Sequence, residues 1–253
     1  MKTVAQAPIR SRSAEESACR ISWLDLLLPF ALMGICFFVG LSALGLTGPD
    51  EPRYAAVARN MARTGDWVTP RLNGEPWFEK PVLYYWLAGF TYRLFGAGEF
   101  AMRLPSALAA ILATLAAAWA ALRAYGSDAA RLTLLMLPVT VGVVSLSHSA
   151  AFDMLFAGFL AAAAAVAAEM LQKPRASMPS MIAFGFLLGA ATLAKGPAAV
   201  LLAGCATLLW AVVSRQITRN SSPPTRHRTS VVLSAFLRTD EISRSTRSPA
   251  SCP

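Results

Sequence analysis

The sequence predicts an all-α protein, a polytopic transmembrane helix bundle with amphipathic juxtamembrane helices in its first long loop. Three observations predict it. Of the 253 residues, 55% are hydrophobic and only 15% are charged, against about a quarter charged in soluble domains. The apolar residues gather in about six runs, each near the roughly 20 residues that carry a helix across hydrocarbon. Between the first two runs lies a loop whose apolar and aromatic residues recur at helical spacing.

The runs occupy 22–46, 105–122, 132–147, 154–171, 179–194 and 196–213. Each reads as a helix because hydrocarbon offers no partner to an unpaired backbone N–H or C=O. The first follows Arg10, Arg12 and Arg20 and outruns the ~7–15 apolar residues of a secretory leader, so it is read as an uncleaved anchor. The third is short and holds Pro138, which predicts a kink or tilt. Only Lys195 and Gly196 divide the fifth from the sixth, which predicts a tight hairpin at one membrane face.

Basic residues mark every second connection: Lys2 to Arg20, Arg123 with Arg131, Lys173 with Arg175, and Arg215 with Arg219. The excess of Lys and Arg in short cytoplasmic loops then sets the N-terminus inside. Loop 47–104, the turn at 148–153 and Lys195 fall outside. Three regions follow: a cytoplasmic segment 1–21, a membrane domain 22–213, and a tail 214–253 rich in Ser, Thr, Arg and Pro, read as disordered. The net charge of +9 is spread between apolar runs with no recognition motif, which excludes nucleic acid as a partner. Cys19, Cys36, Cys205 and Cys252 do not form a disulfide framework.

Within the first loop, Tyr54, Val57, Ala58 and Met61 share one helical face from Pro52 to a stop at Gly65. A second helix is predicted from Pro81 through Tyr84, Tyr85, Trp86 and Phe90 to Phe95. Aromatic-rich amphipathic helices of this kind lie at headgroup level, with Trp67, Trp77 and Phe78 in the same belt.

Ionisable residues collect at the outer face from separate segments: Asp50, Glu51 and Arg53; Glu79 and Lys80; His148 and Asp153; and Lys195. Charges at span ends are costly unless used. Each also has a plainer reading. Asp50 and Arg53 make a solvated ion pair, Lys80 snorkels to headgroups, Asp153 complements a helix N-terminus, Lys195 marks a turn, and His148 is structural. Glu51 divides evenly between support and structure. No closed metal-ligand set is visible. A transporter would place such groups near the midplane, whereas these spans are nearly uncharged.

The ordered set Gly48-Pro49-Asp50-Glu51-Pro52-Arg53-Tyr54, Gly65-Asp66-Trp67, Leu72-Asn73-Gly74, Phe78-Glu79-Lys80-Pro81 and Phe100-Ala101-Met102-Arg103-Leu104-Pro105-Ser106 resembles the first outside loop of bacterial aminoarabinose transferases. These enzymes modify lipid A and are related to protein O-mannosyltransferases within the C-type membrane glycosyltransferases. Asp153-Met154 and Leu193-Ala194-Lys195-Gly196-Pro197 resemble further signatures, and the likeness runs from about 23 to 213.

The resemblance implies an inverting transfer of a sugar from polyprenyl phosphate to lipid A, a glycan or a protein. It places the chemistry on the periplasmic face of a bacterial inner membrane, with a lipid-linked sugar donor; no certain cofactor is named, and a divalent metal stays open without support from the residues. It casts Asp50 as general base or orienting acid, and Asp153 as the second acid. Lys80, Arg53 and Lys195 then meet the donor phosphate, and Glu51, Glu79 and Tyr54 support them. Members of the family continue through more spans to a soluble outer domain. The break in likeness at the composition change leads to the expectation of a truncated or frame-disrupted product, whose alternative fate is an inactive fragment.

Overall fold

The computed structural model describes residues 23–172 and 176–220, and the chain divides into two compact units, Met1–Leu202 and Ala203–Pro253. Helix α1 covers Trp23–Phe38 and α2 Asp50–Thr64, followed by a hairpin of β1, Arg71–Leu72, and β2, Glu75–Pro76. Then come α3 (Leu83–Phe95), α4 (Glu99–Tyr125), α5 (Ser127–Met136), α6 (Val141–Ser147), α7 (Phe152–Gln172), α8 (Met178–Lys195) and α9 (Ala198–Asn220). The all-α, polytopic expectation is borne out. The segment 1–21 and the tail from 221 lie outside the described residues; α9 runs through 214–220, past the expected tail boundary.

Among the described residues, α4, α7 and α8 are long and apolar enough to cross a membrane. The α5–α6 pair adds a fourth span if its two parts, bent by 60°, count as one. The bend lies beside Pro138, where the missing amide was expected to kink the run. Among the described residues, the first run gives the apolar stretch Leu27–Phe38 of α1, and the sixth gives Ala198–Trp210 within the 23-residue α9. Run 22–46 is shorter because α1 gives way after Phe38 to a turn through Gly40, whose carbonyls are captured by side chains from other helices.

The second run is corrected in the other direction. Its helix begins at Glu99, six residues before Pro105. Pro105 has no N–H for the carbonyl of Ala101, one turn back. The buried hydroxyl of Thr91 on α3 reaches that carbonyl at 2.6 Å, so the helix continues through the proline with its acceptor satisfied.

The aromatics of the first loop divide by face. Tyr84 and Tyr85 are 0% exposed; both pack edge-on with Tyr54, and Tyr85 packs edge-on and Tyr84 at a 52° tilt against Phe152, so these tyrosines belong to the core and not to an interfacial belt. Trp86, Phe90, Leu94 and Phe95 point outward on the same helix. The expected apolar face of α2 is buried as read. A feature missed in the sequence is the hairpin, pairing Arg71 with Pro76 and Leu72 with Glu75. Its turn has Asn73 at φ 52° and Gly74 at φ 90°, the two positive values that a type I′ turn requires and Asn-Gly favours.

The membrane helices meet through small residues. A Cβ added at Gly158 of α7 would stand 2.6 Å from the carbonyl oxygen of Ala109 on α4, so the backbones approach there as closely as glycine permits. Ala113, Ala116, Ala162 and Ala165 are buried along these same two helices.

Candidate active site

Asp50 opens α2, Asp153 sits in the first turn of α7, and both line one cavity of about 490 Å³. The walls also include Thr47, Glu51, Arg103, His148 and Ser149. Two carboxylates more than a hundred residues apart therefore face a shared space that also carries a buried guanidinium. Topology predicted their convergence on one face; the fold narrows it to one cavity.

The expected cations attach to these acids. Arg53 lies 3.5 Å from Asp50 and 3.3 Å from Glu79, with its guanidinium carbon 5.6 Å from the centre of the Trp77 ring. Lys80 stands 3.8 Å from the other Glu79 oxygen. The order Asp50, Arg53, Glu79, Lys80 is thus a continuous run of alternating charge, in which Glu79 holds both cations. Lys195, the last residue of α8, pairs with Asp153 and sits 5.8 Å over the Phe156 ring. Arg53, Glu79, Lys80 and Lys195 are not among the residues lining the cavity; Arg53 and Lys195 each contact an acid that lines it, while Lys80 is joined to Arg53 through Glu79. Tyr54 is buried against Phe152, ring centres 4.7 Å apart, and backs α2 from beneath.

Glu51 is a different kind of acid. It is 6% exposed, and both of its oxygens are engaged. Oε2 accepts from the Thr47 amide at 2.8 Å and from Arg103 at 2.9 Å. Oε1 accepts from the Ala150 amide at 2.7 Å. Burial on its own raises the Glu51 pKa; the Arg103 hydrogen bond, the two amides and the Arg103 charge together outweigh it and hold the group below its ordinary 4.5.

Arg103 belongs to the Phe100–Ser106 motif, and the sequence assigns it no role of its own. It is 3% exposed and donates to the carbonyls of Leu41, Leu44 and Gly45 at 2.8, 2.7 and 2.9 Å as well as to Glu51. The available signal was a lone arginine at the mouth of an apolar run, costly there unless it has a use. His148 adds a second tie to the same turn, its Nε2 lying 3.0 Å from the Val39 carbonyl. Side chains from α4 and the end of α6 thus collect carbonyls left unpaired where α1 stops. No cluster of three His, Cys, Asp or Glu side chains occurs among the described residues.

A family model described as dolichyl-phosphate-mannose-protein mannosyltransferase matches residues 79–237. The undecaprenyl phosphate-alpha-4-amino-4-deoxy-L-arabinose arabinosyl transferase of Edwardsiella ictaluri (strain 93-146) is 32% identical over 197 residues, which is 77% of this chain and 35% of that protein. The enzyme of the same name from Aeromonas salmonicida (strain A449) is 42% identical over 87 residues, 34% of this chain and 16% of that protein. The crystal structure of ArnT from Cupriavidus metallidurans bound to undecaprenyl phosphate aligns with a TM-score of 0.71 at 36% identity, over 75% of this chain and 36% of that one. The chain spans about a third of the length of these longer matches. The resemblance read from the loop motifs is borne out. Since the family model covers more than half of its residues, the chain belongs to the dolichyl-phosphate-mannose-protein mannosyltransferase family.

Proposed function

We propose that this chain forms the donor-binding and acid-bearing part of an inverting glycosyltransferase, which moves a sugar from polyprenyl phosphate to lipid A, a glycan or a protein at the periplasmic face of a bacterial inner membrane. The observation that carries the reading is the shared cavity of Asp50 and Asp153, with cations attached to each acid. The relatives' names and the undecaprenyl phosphate bound to the Cupriavidus protein support the lipid-linked donor.

In the proposed step the acceptor oxygen attacks the anomeric carbon from the face opposite the phosphate. The new carbon–oxygen bond forms as the bond to the phosphate oxygen breaks, and the electron pair leaves with polyprenyl phosphate. For a hydroxyl acceptor, the proton passes to Asp50; for a phosphate acceptor, Asp50 orients it. Lys80, Arg53 and Lys195 stabilise the negative charge that grows on the departing phosphate. Asp153 orients the sugar or the acceptor. Glu79 keeps Lys80 and Arg53 in reach of one phosphate, and Tyr54 holds the helix that presents Asp50.

The test is transfer from a polyprenyl-phospho-sugar by membranes carrying single variants of the full-length chain. Asp50→Asn is expected to lower turnover roughly 10²–10⁴-fold with a hydroxyl acceptor. Lys80→Ala is expected to lower it about 10²–10³-fold. Normal turnover by both, at equal membrane insertion, would discard the site assignment.

A further inference from the structure

We infer that Glu51, locked by Arg103, is a positioning residue that sets the spacing between Asp50 and Asp153. The inference rests on the proposed function for its catalytic meaning, but its geometry stands apart. Glu51 follows Asp50 directly in α2, so the fixing of its carboxylate fixes the neighbouring residue. Its Oε1 takes the amide of Ala150, three residues before Asp153, at 2.7 Å. A single carboxylate therefore bridges the backbone stretches that present the two acids.

Arg103 makes that bridge stiff. Its guanidinium donates to three backbone carbonyls of the turn before α2 and to Glu51, which leaves the carboxylate little freedom to swing. A planar fork with several donors suits this task; a lysine ammonium does not reach such a set of acceptors. Ser106, one helical turn along α4, donates to the Ala151 carbonyl at 3.2 Å, so the same helix grips both sides of the cavity. The pair is far more enclosed than the acids it serves: side-chain exposure is 4% for Arg103 and 8% for Glu51, against 58% for Asp50 and 46% for Asp153. This is the arrangement of a rigid support beneath groups left open to a substrate.

Two measurements on the full-length chain in membranes decide the matter. In a background with the native cysteines replaced by serine, Asp50→Cys and Asp153→Cys are cross-linked with bifunctional thiol reagents of graded length. With Glu51 and Arg103 intact, one reagent length should dominate. Glu51→Gln, Glu51→Asp and Arg103→Lys should each broaden or shift that preference. Separately, with both acids restored, the same three variants should lower kcat while leaving KM for the lipid-linked donor near its starting value. The drop expected is about 10²-fold, the typical result of displacing a reacting group by an ångström.

Both readouts are referred to the membrane-inserted, protease-resistant fraction, and Glu51→Asp keeps the charge pair should Glu51→Gln accumulate poorly. An unchanged length preference in the variants overturns the inference, as does an unchanged kcat per inserted molecule alongside a lower yield, which would make the pair a fold element only. A shifted preference in a chain whose unsubstituted form transfers no sugar supports the positioning geometry and removes the proposed function instead.

Discussion

The hydroxyl of Thr91 stands in for an amide that Pro105 lacks. It has the carbonyls of Leu87, Ala88 and Ala101 in range, but only Ala101 has lost its helical donor, and that contact is the shortest at 2.6 Å. Thr91→Val keeps the shape and removes the donor, so it should cost about 1–3 kcal/mol, the range for a buried acceptor left unsatisfied; thermal unfolding in detergent reads this directly. Glu51 makes a second case at this scale, through pH. Its pKa is held below the ordinary 4.5, so its stabilising contribution is complete above that value and disappears as pH falls through the lower folded value. Unfolding temperature should therefore drop on acidification below pH 4.5, and Glu51→Gln should start lower and lose this part of the slope. A variant with the original acid dependence would refute the assignment. Asp50 and Asp153, which line the cavity, stood out in the sequence because charged groups at the ends of apolar runs are conspicuous. Arg103 did not, because a buried arginine and its acceptors lie up to 62 residues apart in the chain.

At the level of elements, the prolines and glycines decide where apolar runs become helices. Hydropathy found all the runs, but it could not see that α4 survives Pro105 or that run 22–46 stops as a helix at Phe38. Both outcomes depend on partners supplied by other elements: Thr91 in one case, Arg103 and His148 in the other. The α4–α7 contact behaves similarly. Gly158 could have been read as a flexible spot in an alanine-rich helix, yet a Cβ there would meet the Ala109 backbone at 2.6 Å. Gly158→Ala should therefore push the helices apart and destabilise by about 1–3 kcal/mol, the usual cost of overpacking. Unaltered unfolding of this variant would mean that the two backbones do not approach as described. The Asn73-Gly74 hairpin carried a readable turn signal that a search for helical periodicity passed over.

Over the whole molecule, the proposed orientation rests on the charge pattern: basic residues at every second connection are expected on the cytoplasmic side, which would put the first loop outside. The exposed hairpin offers the test. Asn73 holds left-handed backbone, which a cysteine tolerates poorly, so Glu75→Cys is the better reporter. In a background without native cysteines it should react with an impermeant thiol reagent in intact cells once the outer membrane is made permeable; labelling only after inner-membrane lysis would invert the topology. Composition and period by themselves determined that this chain enters a bilayer as helices and that its ionisable residues fall largely outside the apolar runs, because burial in hydrocarbon imposes a local requirement on every stretch of sequence. Only the tertiary structure decided which acids share a cavity, which acid is buried as a joint, and which arginine holds it there. Those choices rest on hydrogen bonds and close packing between segments far apart in the chain, and no local pattern records them.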